Sequence, residues 1–386
     1  MKKQLLTVFK SDLAKIGSII FIASLSSNLI LFLANLFVAD KLGSINFGVF
    51  KTVTYLFAFL PLLIGFGTDV SMTKYIAEFG KNKEKIGYLI KWFLKLRIVG
   101  YLFLIALTVM FREQISLLFL KDPSFGYLIL AGIFLATLSF FNVFQNVVLG
   151  FQKFKLYALS QFLSITSSAV LGVLLSPFGL FYVILGWGSG SLIGNLPCII
   201  FLSKLGILKK TKKFDVKTSF FRFSIPMYAT AIINGLFASV TPLLSLFFSQ
   251  EKIGYFSFAF LFYFATLLIP SSLSSILFPK VSEMNGLKRH REAKDILRRA
   301  FELYGLVAII GILFVLLLSD WLFVSFFKNY LTSLFMFKVL TILGFALGFN
   351  TIYVSYLQGL GRMKKFVLLN LLQNVILILV SFALLI

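Results

Sequence analysis

Eleven long apolar runs fill the chain from end to end, near residues 16–38, 46–73, 87–110, 125–149, 155–176, 179–203, 222–248, 253–279, 300–319, 332–358 and 365–386. Each approaches or exceeds the roughly 20 residues that a helix needs to cross about 30 Å of hydrocarbon. The runs are continuously apolar rather than alternating, which excludes a transmembrane β-barrel. Helices remain as the spanning structure that satisfies the backbone. With 59% hydrophobic residues, 13% charged residues and a mean hydropathy of +0.97, little is left for a soluble domain. The expected fold class is all-α, a polytopic transmembrane helical bundle.

Orientation follows from the placement of the 37 Lys and Arg. With a cytoplasmic N-terminus, thirty of them fall in inner stretches: Lys2 to Lys15, Lys74 to Arg97, Lys153 and Lys155, Lys204 to Arg222, Lys280 to Arg299, and Arg362 to Lys365. The outer loops hold only Lys41, Arg112, Lys121, Lys252 and Lys328, while Lys51 and Lys338 lie within runs. This asymmetry predicts a multi-pass protein of the cell (plasma or inner) membrane with its N-terminus inside. It also accounts for the net charge of +23, so no nucleic-acid partner is expected. The stretch from Lys288 to Arg299 reads either as a basic amphipathic helix that meets anionic lipids, or as the anchor of the ninth helix. Membrane lipids are partners in both cases. The first run is too long for a cleavable signal and is expected to stay as a helix. The lone Cys198 and the lone His290 supply no metal ligand set, and no cofactor is expected.

An internal repeat organises the runs. A shift of 206 carries Ser24, Asn28 and Asn35 onto Thr230, Asn234 and Thr241, Gly48 onto Gly254 and Lys74 onto Lys280. A shift of 209 carries Asn142, Asn146, Gly150, Lys153 and Lys155 onto Thr351, Ser355, Gly359, Arg362 and Lys364. The chain is thus expected to hold an N-terminal lobe of six helices (1–203), a basic cytoplasmic linker (204–221) and a C-terminal lobe of five helices (222–386). Helices one and seven run in the same direction, so the lobes are parallel repeats. The sixth helix of the second lobe would start near 389, which leaves that lobe one helix short.

Three stretches, FGVFKTVTYLFAFLPLLIGFGTDVSMTKYIAE (47–78), FFRFSIPMYATAII (220–233) and VSYLQGLGRMKKF (354–366), resemble the polysaccharide flippases of the multidrug/oligosaccharidyl-lipid/polysaccharide exporter superfamily. The resemblance covers essentially the whole chain, through motifs that are loose singly and ordered together. It implies two six-helix-type lobes in a MATE-like V around a central cavity. It also implies transport of polyprenyl-pyrophosphate-linked oligosaccharide from the inner to the outer leaflet by alternating access. Glycan-assembly proteins would be partners, and H+ or Na+ the coupling ion. Within the same superfamily, a lipid II-type flippase or a drug/cation antiporter is the alternative. The scarcity of carboxylates within the runs argues against cation export.

A diphosphate-linked glycan needs a polar, partly cationic route through the membrane. Asn28 and Asn35, with Ser24, share one face of helix one, and Asn234 and Thr241 repeat that stripe on helix seven. These groups either line a cavity or tie helices together. Lys51 and Lys338 lie a few residues inside the outer ends of their runs, where each either faces the cavity or snorkels to the interface. Arg222, at the mouth of helix seven before Pro226, is the pyrophosphate candidate or one more inner anchor. Asp69, near the inner end of helix two, is the ion-coupling candidate or a partner of Lys74. Pro61, Gly65 and Gly67 are expected to break helix two, whereas Gly186, Gly190 and Gly194 are expected to let helices pack closely.

An integral membrane glycosyltransferase or polymerase would need acidic pairs or substantial outer loops. Neither is present, and there is no P-loop, so the chain is not expected to be an enzyme.

Overall fold

The computed structural model describes residues 12–80, 82–206, 216, 224, 225, 228, 232, 235 and 239–386. Among these residues the secondary structure is helical, with no strand. Among the described residues nine helices are long and apolar enough to cross a membrane. Two of the eleven runs account for the difference. Run 222–248 lies mostly outside the described residues, and the first two runs are joined without a loop in one helix, α1 (Asp12–Gly65). Straight, its 54 residues would reach about 80 Å, more than twice the roughly 30 Å hydrocarbon core of a bilayer. A single left-handed residue, Gly43 (φ 72°, ψ 172°), divides it into two spans, a conformation glycine adopts without steric cost.

The expected break in helix two is present. Helix α1 ends at Gly65, Phe66 and Gly67 both take positive φ (47° and 65°), and α2 (Thr68–Phe79) starts in a new direction. There follow α3 (Lys83–Met110), α4 (Arg112–Leu120), α5 (Gly126–Ser139), α6 (Val143–Gly150), α7 (Phe154–Leu175) and α8 (Leu180–Leu205). Between α5 and α6 a 3₁₀ turn, Phe140–Asn142, interrupts what reads in the sequence as one run. Beyond the seventh run lie α9 (Val240–Ser245), α10 (Gln250–Gly286), α11 (His290–Phe326), α12 (Leu334–Gly359) and α13 (Met363–Ala383).

The chain divides into two compact units, Met1–Leu42 with Val49–Phe247, and Gly43–Gly48 with Phe248–Ile386. In the first unit, α7 and α8 pack backbone to backbone. Gly186, Gly190 and Gly194 leave no room for a Cβ beside Leu171, Ser168 and Ser164, and the Ser160 hydroxyl donates to the Gly194 carbonyl. Close packing, as expected, is what those glycines provide. Cys198 is fully buried on the same helix. An apolar core joins Met72, Tyr75 and Ile76 of α2 to Ile86, Leu89, Ile90 and Phe93 of α3, and to Val143 and Val147 of α6.

In the second unit, Gly48 abuts the Gln250 carbonyl while Gly254 abuts the Ser44 carbonyl. The 206-residue shift maps Ser44 onto Gln250 and Gly48 onto Gly254, so the contact is reciprocal, as across a local two-fold axis. The 209-residue shift also has a structural counterpart within the units. Gly150 packs on Ile76 and the Thr73 carbonyl, and Gly359 packs in the same way on Val281 and the Phe278 carbonyl.

Helices α10 and α11 have 37 residues each, about 55 Å, and outreach a bilayer. Exposed large apolar side chains on α11 begin at Leu303 and run to Phe326, about 36 Å of helix. The basic stretch therefore forms the first turns of α11 rather than a separate helix. Its apolar stripe, Ala293 and Leu297, is buried against Leu277 and Val281, leaving Arg291, Lys294, Arg298 and Arg299 exposed.

Candidate functional site

The break at Gly65–Thr68 places three polar residues against α3 and α6. Arg97, fourteen residues into α3, is buried, and its Nη2 donates to Asp69 Oδ2. Its Nε donates to Thr68 Oγ1 at 2.8 Å, and that hydroxyl donates in turn to the Gly65 carbonyl at 2.6 Å. From α6, Asn146 Nδ2 donates to the other Asp69 oxygen at 3.0 Å, while the Asn146 carbonyl accepts from Thr73 Oγ1, also at 3.0 Å. Further along, Asn195 of α8 donates to the side-chain oxygen of Asn142 at 2.9 Å. The two members of the ion pair differ in access: the Arg97 side chain is 6% exposed and that of Asp69 is 37%.

Asp69 thus pairs with Arg97, whereas Lys74 lies 3.6 Å from Glu78. On the other side of the break, Ser71 Oγ meets Ser224 Oγ at 2.7 Å, and Tyr228 donates to the Leu63 carbonyl at 2.7 Å. Gly67 lies directly against the Ser224 carbonyl, so any larger residue would collide there.

Lys51 and Asn35 are brought together: the ammonium donates to Asn35 Oδ1, and both residues are about 5% exposed or less. The same ammonium lies 5.4 Å from the ring centre of Phe50, 5.6 Å from Tyr55 and 6.0 Å from Trp187. It is therefore inside the protein rather than snorkelling. Lys338 makes a forked contact with Asp320, 2.8 and 3.0 Å to the two carboxylate oxygens, at a half-exposed position. Asn28 bonds within its own helix, to the Ser24 carbonyl at 2.7 Å. Thr241 is fully buried, and its hydroxyl has no hydrogen-bond partner among the described residues. Arg222 and Asn234 lie outside the described residues.

Sequence reasoning missed Arg97, which reads there as one more inner basic residue, and Asp320, which reads as part of a loop. Among the described residues, no group of three His, Cys, Asp or Glu is placed to hold a metal ion.

Helical spans of this number, an interior polar network and an internal repeat define a multi-pass α-helical membrane protein. The chain belongs to the polysaccharide biosynthesis protein family, which matches residues 13–285. Its fold is that of the superfamily whose flippases the sequence motifs resemble. A lipid II flippase MurJ in an inward closed conformation superposes with a TM-score of 0.73 at 17% identity, over 95% of this chain and 84% of that one. An inward-facing multidrug resistance MATE family transporter of the MOP superfamily gives 0.69 at 13% identity, over 92% and 88%. A eukaryotic MATE transporter gives 0.58 at 14%, over 96% and 94%. These neighbours are transporters and a flippase, not enzymes. No curated protein matches the chain in sequence.

Proposed function

We propose that the protein moves polyprenyl-diphosphate-linked oligosaccharide from the inner to the outer leaflet of the cell membrane by alternating access of two lobes, 1–203 and 222–386, joined by the basic linker 204–221. Membership of the polysaccharide biosynthesis family carries this reading. The chemistry of the interior supports it. A diphosphate needs guanidinium or ammonium groups, and a glycan needs amides and hydroxyls. Arg97, Lys51, Asn35 and Asn146 are groups of these kinds held inside the helical bundle. In the same reading Arg222 meets the diphosphate at the inner mouth, Asn28, Asn234, Thr241 and Lys338 meet the glycan, and Asp69 carries the coupling ion, H+ or Na+. Glycan-assembly proteins supply the cargo.

A second reading, transport of a lipid II-type precursor, is favoured by the likeness to MurJ. Both cargoes present a polyprenyl diphosphate, and they differ in the glycan or peptide beyond it. The test is a vesicle assay in which a fluorescent lipid-linked oligosaccharide becomes reachable by an outside quencher. Reconstituted protein should speed its crossing many-fold over empty vesicles, and Lys51→Gln with Lys338→Gln should slow it at least tenfold. A rate equal to that of empty vesicles for both kinds of cargo would eliminate the proposal.

A further inference from the structure

Arg97 is a buried cation whose partner, Asp69, is itself an ionisable group with an open edge. Three observations bear on what the pair does. First, a phosphate oxygen meets a guanidinium on the edge formed by Nε and Nη2, where Nη2 is the donor that an incoming anion can take over. That same edge is held by Thr68 and Asp69.

Second, the pair sits at the depth of lipid headgroups. On α3, Lys91 and Lys95 are exposed, and exposed apolar side chains begin at Ile98. Arg97 therefore lies at the boundary between water and hydrocarbon, the layer in which the diphosphate of a polyprenyl lipid resides. Third, the approach to the pair is kept clear by a glycine. A Cβ on Gly65 would come within 3.3 Å of Arg97 Nη2 and 3.8 Å of Asp69 Oδ2.

From this geometry we infer that Arg97 is a diphosphate-binding residue and that Asp69 is its resident stand-in, displaced when the diphosphate of a polyprenyl lipid arrives. The inference deepens the transport reading above and rests on it. A diphosphate oxygen takes the place of Asp69 Oδ2 on Nη2, with Thr68 still on Nε. The released carboxylate, left beside the incoming anion, takes one proton from water at its open edge. In that form it donates rather than repels, and Asn146 keeps its other oxygen in place. Cargo loading is thereby tied to uptake of one proton.

The charged and titratable groups around Asp69 are few. Arg97 and Tyr101 face it from α3, and α6 contributes Asn146 and no titratable side chain. On its own helix, Lys74 and Glu78 are a turn or more away and adjoin each other.

The test is calorimetric titration of the purified full chain in nanodiscs with undecaprenyl diphosphate, in buffers of different ionisation enthalpy. Wild-type protein should take up about one proton more per ligand than Asp69→Asn does. Asp69→Asn should bind at least as tightly as wild type at pH 8, since the competing carboxylate is gone. Arg97→Gln should weaken binding at least tenfold, and Arg97→Lys should fall between the two. Because Arg97→Gln leaves Asp69 without its guanidinium, the double variant Arg97→Gln/Asp69→Asn serves as the folding control. It should melt near wild type and bind as weakly as Arg97→Gln.

Equal proton uptake by wild type and Asp69→Asn would overturn the inference, as would unchanged affinity in the double variant. If either occurred while wild-type protein still moved the labelled glycan in vesicles, the transport reading would stand and this one would fall.

Discussion

The buried cations show how a charge is accommodated inside an apolar bundle. Lys51 rests on an amide oxygen and three aromatic rings, contacts that offset part of its desolvation. Removing one side of such a contact costs more than removing the charge. Asn35→Leu should lower stability by about 2 kcal/mol by withdrawing an acceptor from the buried ammonium. Lys51→Met, which keeps the stem's packing, should cost less. Thermal unfolding of the two variants in the same detergent gives the order, and a larger loss for Lys51→Met would contradict it.

Lys51 stands out in the sequence because it interrupts an apolar run. Arg97 does not, because it follows Lys91 and Lys95 and merges with them. Lys91 and Lys95 are four apart and share the exposed face of α3. Arg97 is two residues further, about 200° around the helix, which turns it inward. Helical phase could have distinguished it, whereas a tally of basic residues could not.

Small residues set how closely the helices approach. In α7 and α8, Ser164 meets Gly194, Ser168 meets Gly190 and Leu171 meets Gly186 in antiparallel register, and Ser160 donates to the Gly194 carbonyl. Gly190→Leu should force the pair apart and cost about 1–3 kcal/mol. The same change at Gly80, where nothing lies within reach of a Cβ, tests backbone strain alone because φ there is +56°. Resistance to detergent-induced unfolding should fall already for Gly190→Ala, whose Cβ has no room beside Ser168, and an unchanged resistance for that variant would count against tight packing.

These contacts were legible as spacing, and the repeat foretold that Gly48 and Gly254 are counterparts. That each would rest on the other's upstream carbonyl was not legible, because a repeat shift carries no distance. Nor was the junction at Gly43, where the two runs meet without the polar loop that hydropathy leads one to expect. The 3₁₀ turn at Phe140–Asn142 is invisible to hydropathy for the same reason: two of its three residues are phenylalanines and the apolar run continues on both sides.

At the scale of the whole molecule, charge and length determine how the chain lies in a bilayer. The loops that the sequence assigns to the outer face are poor in cations, and two of those present, Lys121 and Lys252, are engaged with helix ends. Lys121 donates to the carbonyls of Leu118 and Leu246 at 3.1 and 2.7 Å, and Lys252 to that of Leu385 at 2.7 Å. Such ammonium groups satisfy terminal carbonyls and complement the negative end of the helix dipole. Reporter fusions at 117 and 252 should therefore read outside, and fusions at 82 and 290 inside. Reversal of either pair would break the assignment. The turn between α10 and α11 should be the most protease-sensitive inner site, since both helices extend beyond the apolar zone.

Cys198 has a practical consequence. It is the chain's only thiol, it is sealed between helices, and reagents in solvent or lipid do not reach it. The natural sequence is thus already a single-site labelling background. A cysteine introduced at the α10–α11 turn can carry a spin probe, a fluorophore or a crosslinker without removal of the native cysteine.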